Sequence, residues 1–86
     1  MSPKHGPRRT QVHFGDAAAE QLEGFNIPET IAADRAIVAI QVNPDIGDPI
    51  PDNPPFRDYR EPGTSVRVVY YATALGSQVV IAYIEV

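Results

Sequence analysis

The sequence predicts a small α+β domain: an N-terminal strand, a two-helix hairpin and then a three-stranded antiparallel sheet. Three observations support this fold class. Apolar residues recur at helical spacing between positions 17 and 42, and prolines interrupt positions 43–55. From position 56 onward, β-branched and aromatic residues dominate, as is typical of strands.

Length and composition limit what the chain can be. It has 86 residues, of which 43% are hydrophobic, so we expect one domain with its own core. It contains no cysteine, which excludes disulfides and thiolate metal sites. The longest apolar stretch, Val79 to Ile84, is too short to cross a bilayer, and the N-terminus lacks a signal-peptide core. We therefore predict a cytoplasmic protein with no membrane contact.

The charge is unevenly distributed along the chain. The first nine residues carry +3 of a net charge of -4, so positions 10–86 carry -7. We interpret positions 1–9 as a flexible basic tail, with an arm that contacts RNA or an acidic partner as the alternative, and positions 10–86 as the single domain. An acidic domain argues against broad binding of nucleic acid driven by charge alone.

The first two elements are expected to be a strand and a helix. Thr10 to Phe14 alternates between apolar and polar residues, as in a short half-buried strand. Asp16 is expected to be the N-cap of a helix over Ala17 to Glu23, and Gly24 is expected to end it. Three residues share the helical spacing of a buried stripe: Ala18, Leu22 and Phe25.

A second helix is predicted from Asn26-Ile27-Pro28 to Asn43-Pro44, because proline is tolerated in a first turn and stops a helix at its end. Its core stripe follows i, i+3, i+4, i+7 spacing and comprises Ala33, Ala36, Ile37 and Ile40. Further apolar residues, Ile31, Val38 and Val42, widen this face. A face this wide predicts contact with a second element or with a partner.

Positions 43–55 contain five prolines and are expected to form a stiff surface connection without a regular element. Three strands follow, over Phe56–Arg60, Ser65–Thr73 and Gln78–Val86. Glu61–Thr64 has proline and glycine where a type II turn requires them, and Ala74–Ser77 is expected to form the next tight connection. Such short links predict antiparallel neighbours.

The last strand is apolar on both sides. Simple alternation places Val80, Ala82, Ile84 and Val86 on one face and Val79, Ile81 and Tyr83 on the other. An exposed edge strand of this composition aggregates. The strand is therefore expected to be central in the sheet or covered by another chain.

The element order and several segments resemble the RelE/ParE family of bacterial toxins. The resemblance rests on Val12-His13-Phe14 before the first helix, on Asn43-Pro44, and above all on Tyr59-Arg60 followed by Ser65 to Tyr70. The final Val79 to Ile84 resembles the family's last core strand. The resemblance extends over nearly the whole chain from Gln11 onward.

This resemblance implies the toxin component of a type II toxin–antitoxin system, made with a cognate antitoxin that binds it as a hetero-oligomer. RelE-type members cut messenger RNA on the ribosome and inhibit translation without a metal or cofactor, whereas ParE-type members inhibit DNA gyrase. By position, Arg67 matches the family's strand arginine, and Arg57 lies where RelE-type toxins carry a basic residue. These two are the candidate catalytic residues, together with Tyr71.

Chemistry supports a role for Arg67, because a guanidinium can hold two oxygens of a scissile phosphate as negative charge develops. Alternation places Tyr71 on the same face, where it can stack on a base or assist a proton transfer. Arg60 and Tyr59 are the candidate RNA-binding residues. The competing interpretation of Arg67 is an ordinary ion pair with Asp58 or Glu61 across the strands.

Three features depart from the RelE-type pattern. The sequence ends at Glu85-Val86, without the basic segment that carries further catalytic residues in those toxins. His5 and His13 match no catalytic position, and Tyr59 stands where a second basic residue is expected. The alternative is therefore a non-catalytic protein-binding module on the same scaffold, either ParE-like or a degenerate toxin. A housekeeping domain without toxin ancestry is the third possibility.

Overall fold

The computed structural model describes residues 10–73 and 77–86, which form a five-stranded sheet with two helices packed on one face. The helices are α1, Asp16–Glu23, and α2, Ile27–Val42. The strands are β1 Gln11–Phe14, β2 Asp48–Pro49, β3 Arg57–Arg60, β4 Arg67–Ala72 and β5 Gln78–Glu85, in the sheet order β1-β5-β4-β3-β2. The predicted α+β class is confirmed, although the sheet is larger than the three-stranded one expected.

One reason for the larger sheet is that β1 joins it and pairs in parallel with β5. Val12 lies opposite Val79 and packs against the core. Periodicity predicts that residues 11–14 form a strand, but it carries no information about the pairing partner. The partner is β5 because β5 is the last strand of the antiparallel β3-β4-β5 meander and lies next to β1 in the sheet.

The prediction that positions 43–55 contain no regular element is wrong at one point. Asp48 and Pro49 form β2, which pairs antiparallel with β3 through the register Asp48↔Asp58 and Pro49↔Arg57. A proline in a strand is compatible with an edge position, where its missing N–H breaks no ladder. The strand is only two residues long, so no sequence periodicity marks it.

Helix α1 begins one residue earlier than predicted. Gly15 is the N-cap and Asp16 is the first helical residue, so Asp16 makes no side-chain cap. Its carboxylate still lies in the first turn, where the helix dipole favours negative charge. Gly24 is the C-cap as predicted. The predicted stripe is confirmed, since Ala18 is buried and Leu22 and Phe25 pack against the core.

Helix α2 is fixed at its start by a capping box. The Asn26 side chain accepts from the Glu29 N–H at 2.9 Å, and the Glu29 carboxylate accepts from the Asn26 N–H at 2.9 Å. The predicted core stripe is confirmed: Ala33, Ala36, Ile37 and Ile40 are all buried. The residues predicted to widen this face, Ile31, Val38 and Val42, are exposed instead.

Strand β5 is central in the sheet, as its composition predicts, but its two faces differ from simple alternation. Val69 pairs with Tyr83 and Tyr70 with Ile81, which leaves Ala82 as a bulge residue without a partner. The bulge moves Ile84 onto the buried face together with Val79 and Ile81. A bulge depends on pairing across strands, which the sequence of a single strand does not encode.

Tyr70 on β4 anchors the proline-rich connection to the sheet. Its side chain is fully buried, and its hydroxyl donates to the Pro44 carbonyl at 2.7 Å and accepts from the Gly47 N–H at 2.9 Å. A Cβ at Gly47 would lie 2.8 Å from this hydroxyl, which explains the glycine. Arg57 adds a second attachment by donating to the Gly47 carbonyl at 2.7 Å.

We predict that Tyr70→Phe destabilises the protein, because it leaves the buried Gly47 N–H and the part-buried Pro44 carbonyl without this partner. The expected loss is about 1–3 kcal/mol in the free energy of unfolding, measured by urea denaturation. Tyr83→Phe is the matched control, since the Tyr83 side chain is 41% exposed. Equal effects of the two variants would contradict the anchoring role.

Because of the Tyr70 hydroxyl, we predict that folding stability decreases at alkaline pH. Burial raises the pKa of Tyr70 above its ordinary value of 10.0. The Tyr70 hydroxyl of the unfolded chain therefore loses its proton at a lower pH than that of the folded chain. Folding stability falls as the pH rises above the ordinary tyrosine pKa. Tyr70→Phe lacks the group, so we expect the stability difference between wild type and variant to narrow above about pH 10. A constant difference from pH 7 to 11 would contradict this.

Candidate functional site

The candidate site lies on the face of the sheet opposite the helices, which we call the open face. On β4, Val68 and Tyr70 are buried beneath the helices, whereas Arg67, Val69 and Tyr71 are only half-buried on the other side. This alternation is the ordinary period of a strand. Register partners from the neighbouring strands complete the open face: Asp58, Arg60, Val80, Tyr83 and Glu85.

Arg67 is at the centre of a charged cluster on the open face. Its Nε donates to Asp58 Oδ2 at 2.8 Å, and its NH1 group donates to Glu85 Oε1 at 3.3 Å. The hydrogen bond that Arg67 donates to Asp58 is the main reason that the pKa of Arg67 is raised, and Glu85 raises this pKa further. Arg60 lies directly across the β3–β4 ladder from Arg67.

This cluster has no excess positive charge. Its two arginines, Arg60 and Arg67, are balanced by the carboxylates of Asp58 and Glu85. The Asp58 pair is the better shielded, since the side chains of Asp58 and Arg67 are 23% and 26% exposed, against 52% for Glu85. The other Asp58 oxygen, Oδ1, is buried and has no hydrogen-bond partner within the described residues.

Apolar and aromatic side chains occupy the rest of the open face. Phe56, which precedes β3, meets Tyr71 edge to face with 5.2 Å between ring centroids. Val69 lies opposite Tyr83 on β5, and Tyr71 lies opposite Val80. Val69, Tyr71 and Val80 are half-buried and Tyr83 is exposed, whereas the buried side chains of β4 and β5 belong to the core that contains the helix residues.

The structure brings together three of the five residues predicted for the site. Arg67, Tyr71 and Arg60 share the open face, whereas Arg57 and Tyr59 lie on the helix face. Arg57 is engaged by the Asp45 and Gly47 carbonyls, and Tyr59 packs against the core. Burial, with Glu61 as a second cause, raises the pKa of Tyr59.

The sequence contains a signal that separates Arg57 and Tyr59 from Arg60. In a strand, alternation makes positions 57 and 59 face away from positions 58 and 60. The expected ion pair between Arg67 and Asp58 is confirmed, and the second partner is Glu85 and not Glu61. Sequence reasoning missed Glu85. Its pairing with Arg67 depends on the register of β5 beyond the bulge.

Two other kinds of feature are absent from residues 10–73 and 77–86. No group of three or more histidine, aspartate or glutamate side chains is arranged there to hold a metal ion. No helix in that part of the chain is long and apolar enough to cross a membrane.

Comparison with known proteins identifies the fold. No protein-family model matches the sequence, and no curated protein matches it. Among solved structures, the fold is similar to that of a chain in the crystal structure of the RelBE2 toxin–antitoxin complex from Mycobacterium tuberculosis. The TM-score is 0.69 at 21% sequence identity, and the match covers 91% of this chain and 98% of that one. The chain therefore shares the fold of a chain in that complex, and this agrees with the architecture expected from the sequence.

We predict that the two ion pairs of Arg67 differ in strength. A double-mutant cycle with Arg67→Gln and Asp58→Asn should give a coupling of about 1 kcal/mol, because this pair is short and half-buried. The parallel cycle with Glu85→Gln should give a smaller coupling, since Glu85 is more exposed and its contact is longer. Urea denaturation of the single and double variants measures both values. A larger coupling to Glu85 would contradict the geometry.

Proposed function

We propose that this chain is the toxin component of a toxin–antitoxin pair and acts in the cytoplasm, where a cognate antitoxin protein holds it inactive. One observation carries the proposal: the fold is similar, over nearly the full length of both chains, to a chain of a toxin–antitoxin complex. The resemblance of the segment from Tyr59 to Tyr70 to the RelE/ParE toxins supports it independently.

The open face is the surface that we assign to the antitoxin. Uncovered aromatic and aliphatic side chains on a rigid sheet are typical of protein-binding surfaces. Arg60 forms no ion pair within the described residues, so it is available to a carboxylate of the antitoxin. An extended or helical segment with apolar side chains and at least one acidic residue fits this surface.

The charge cluster favours a toxin that acts by binding a protein target over one that cleaves RNA. A phosphate would have to displace both Asp58 and Glu85 from the Arg67 guanidinium, and the cluster supplies no excess positive charge to attract it. Arg57, the second candidate catalytic arginine, faces away from Arg67. The non-catalytic alternative is therefore the mode of action that we put first.

Messenger RNA cleavage is the second candidate, because Arg67, Tyr71 and Arg60 share one face. In this mechanism Arg67 stabilises negative charge on the scissile phosphate after exchanging its carboxylate partners for it. Tyr71 stacks on a base or assists a proton transfer, and Arg60 binds the RNA backbone. The reaction uses no metal or cofactor, and the ribosome-bound message is the substrate.

Expression of the chain in bacteria tests the proposal. We expect it to arrest growth when expressed alone, and to lose this effect when the neighbouring open reading frame is expressed with it. The two proteins should co-purify. Absence of growth arrest at confirmed soluble expression, together with no binding to the neighbouring product, would reject the toxin assignment.

Arg67→Gln combined with Asp58→Asn separates the two modes of action. The double variant replaces a charged pair by a neutral one, so neither partner is left as an unpaired charge. If the toxin acts by binding a protein target, growth arrest survives and transcripts mapped by primer extension remain intact. If it cleaves RNA, cells that express the wild-type chain show new transcript ends. Cells that express the double variant then show neither cleavage nor growth arrest. Asp16→Asn, remote from the open face on α1, is the control.

A further inference from the structure

Three charged residues of the open face lie in one row that crosses three strands. Arg60 on β3 lies opposite Arg67 on β4, and Arg67 lies opposite Glu85 on β5. Neighbouring strands are about 4.8 Å apart, so the two ends of this row are separated by about 10 Å. We call Arg60, Arg67 and Glu85 the charged row.

The middle of the charged row is already paired, whereas its two ends can bind further groups. Arg67 donates to Asp58 at 2.8 Å and to Glu85 at 3.3 Å. Arg60 is exposed and forms no ion pair within residues 10–73 and 77–86. The Glu85 side chain is 52% exposed, and only its Oε1 atom bonds to Arg67. The row therefore presents an unpaired positive charge over β3 and a free carboxylate oxygen over β5.

Further along the strands the open face becomes apolar. The residues that follow the charged row on this face are one aspartate and five apolar or aromatic residues: Asp58, Val69, Tyr83, Phe56, Tyr71 and Val80. The aspartate is the one that pairs with Arg67. From Arg67 to Tyr71 the strand rises by about 13 Å, so the face changes from charged to apolar over that distance.

We propose that the charged row selects the partner of the open face by requiring an acidic side chain opposite Arg60 and a basic side chain opposite Glu85, both on one amphipathic helix. This proposal rests on the toxin–antitoxin assignment above, and the helix belongs to the antitoxin. Its apolar side covers Val69 and Tyr71, and its two charged side chains lie on opposite flanks of the end nearest the charged row. A uniformly acidic or uniformly basic helix does not fit, because the ends of the row differ in sign.

The dimensions of the open face favour a helix over an extended segment. A helix with its side chains is about 10–12 Å wide, close to the roughly 10 Å between β3 and β5. A helix along β4 therefore places side chains over both flanking strands, and about nine residues span 13 Å. An extended segment laid flat on this face would press unpaired backbone N–H and C=O groups against apolar side chains, which is unfavourable.

Internal pairing makes Arg60, and not Arg67, the contact for the partner's acid. Arg67 already holds two carboxylates, and displacing either of them would leave that carboxylate without its partner. Arg60 exchanges only water for the incoming acid, since no carboxylate of the described residues lies within ion-pair distance of it. Asp58 and Glu85 therefore direct the partner's acid to the β3 end of the row.

Charge reversal at the two ends of the row tests the proposal, with the product of the neighbouring open reading frame as the partner. Isothermal titration calorimetry gives the dissociation constant for each variant of the full chain. Arg60→Glu alone and Glu85→Lys alone each place like charges in contact, and each should weaken binding at least about tenfold. Arg35→Glu on α2 and Glu23→Lys on α1 make the same changes of net charge on the other side of the sheet and should have no effect.

The double variant Arg60→Glu, Glu85→Lys separates the order of charges in the row from net charge. It keeps the net charge of the wild type but reverses the row, so it should bind less tightly than either single variant. Exchanging the partner's acid with its base should then restore tight binding to the double variant. A double variant that binds like the wild type would show that net charge alone governs binding and would overturn the proposal.

A second series of variants removes charge without creating repulsion. Arg60→Gln and Glu85→Gln should each weaken binding by about two- to fivefold, as expected for exposed ion pairs. Urea denaturation of every variant checks that the fold is retained. If the neighbouring product binds the wild type and none of these variants weakens binding, the proposal is wrong and the toxin assignment stands. If that product does not bind the wild type at all, both are rejected.

Discussion

The position of β4 in the middle of the sheet is the constraint on which the rest of the structure depends. Each of its side chains must lie on one of two faces, and the two faces have different neighbours. Val68 and Tyr70 face the helices and form the centre of the core, while Arg67, Val69 and Tyr71 form the centre of the open face. Core and candidate site are thus the two sides of one strand, and any shift of its register by one residue would exchange them.

Tyr70 links this strand to the proline-rich connection at positions 43–55. Through the Pro44 carbonyl and the Gly47 N–H, its hydroxyl positions the chain so that Asp48 and Pro49 reach the edge of β3. Arg57, predicted as a catalytic residue, contributes to the same attachment through the Asp45 and Gly47 carbonyls. A strand arginine in this fold can therefore have a purely structural environment. The face of the sheet on which an arginine lies distinguishes a structural arginine, such as Arg57, from one in the candidate site, such as Arg67.

The open face combines aromatic and aliphatic side chains with a charge cluster that has no net charge. Such a surface suits a protein partner, and we assign it to the proposed antitoxin.

The sequence by itself determined the local elements, because caps, turns and periodicity act over a few residues. Asn26 and Glu29 mark the start of α2, Gly63 with φ of 77° supports the predicted turn, and the spacing from Ala33 to Ile40 marks the buried face. Alternation likewise placed Arg67 and Tyr71 on one face.

Only the tertiary structure decided which elements meet. The parallel pairing of β1 with β5, the two-residue β2, the bulge at Ala82 and the contact between Arg67 and Glu85 all join residues that are distant in the chain. The register of β3 on β4, which sets Arg57 on the opposite face of the sheet from Arg67, also depends on pairing across the sheet. Such pairings depend on the relative free energies of whole arrangements, which local sequence preference does not specify.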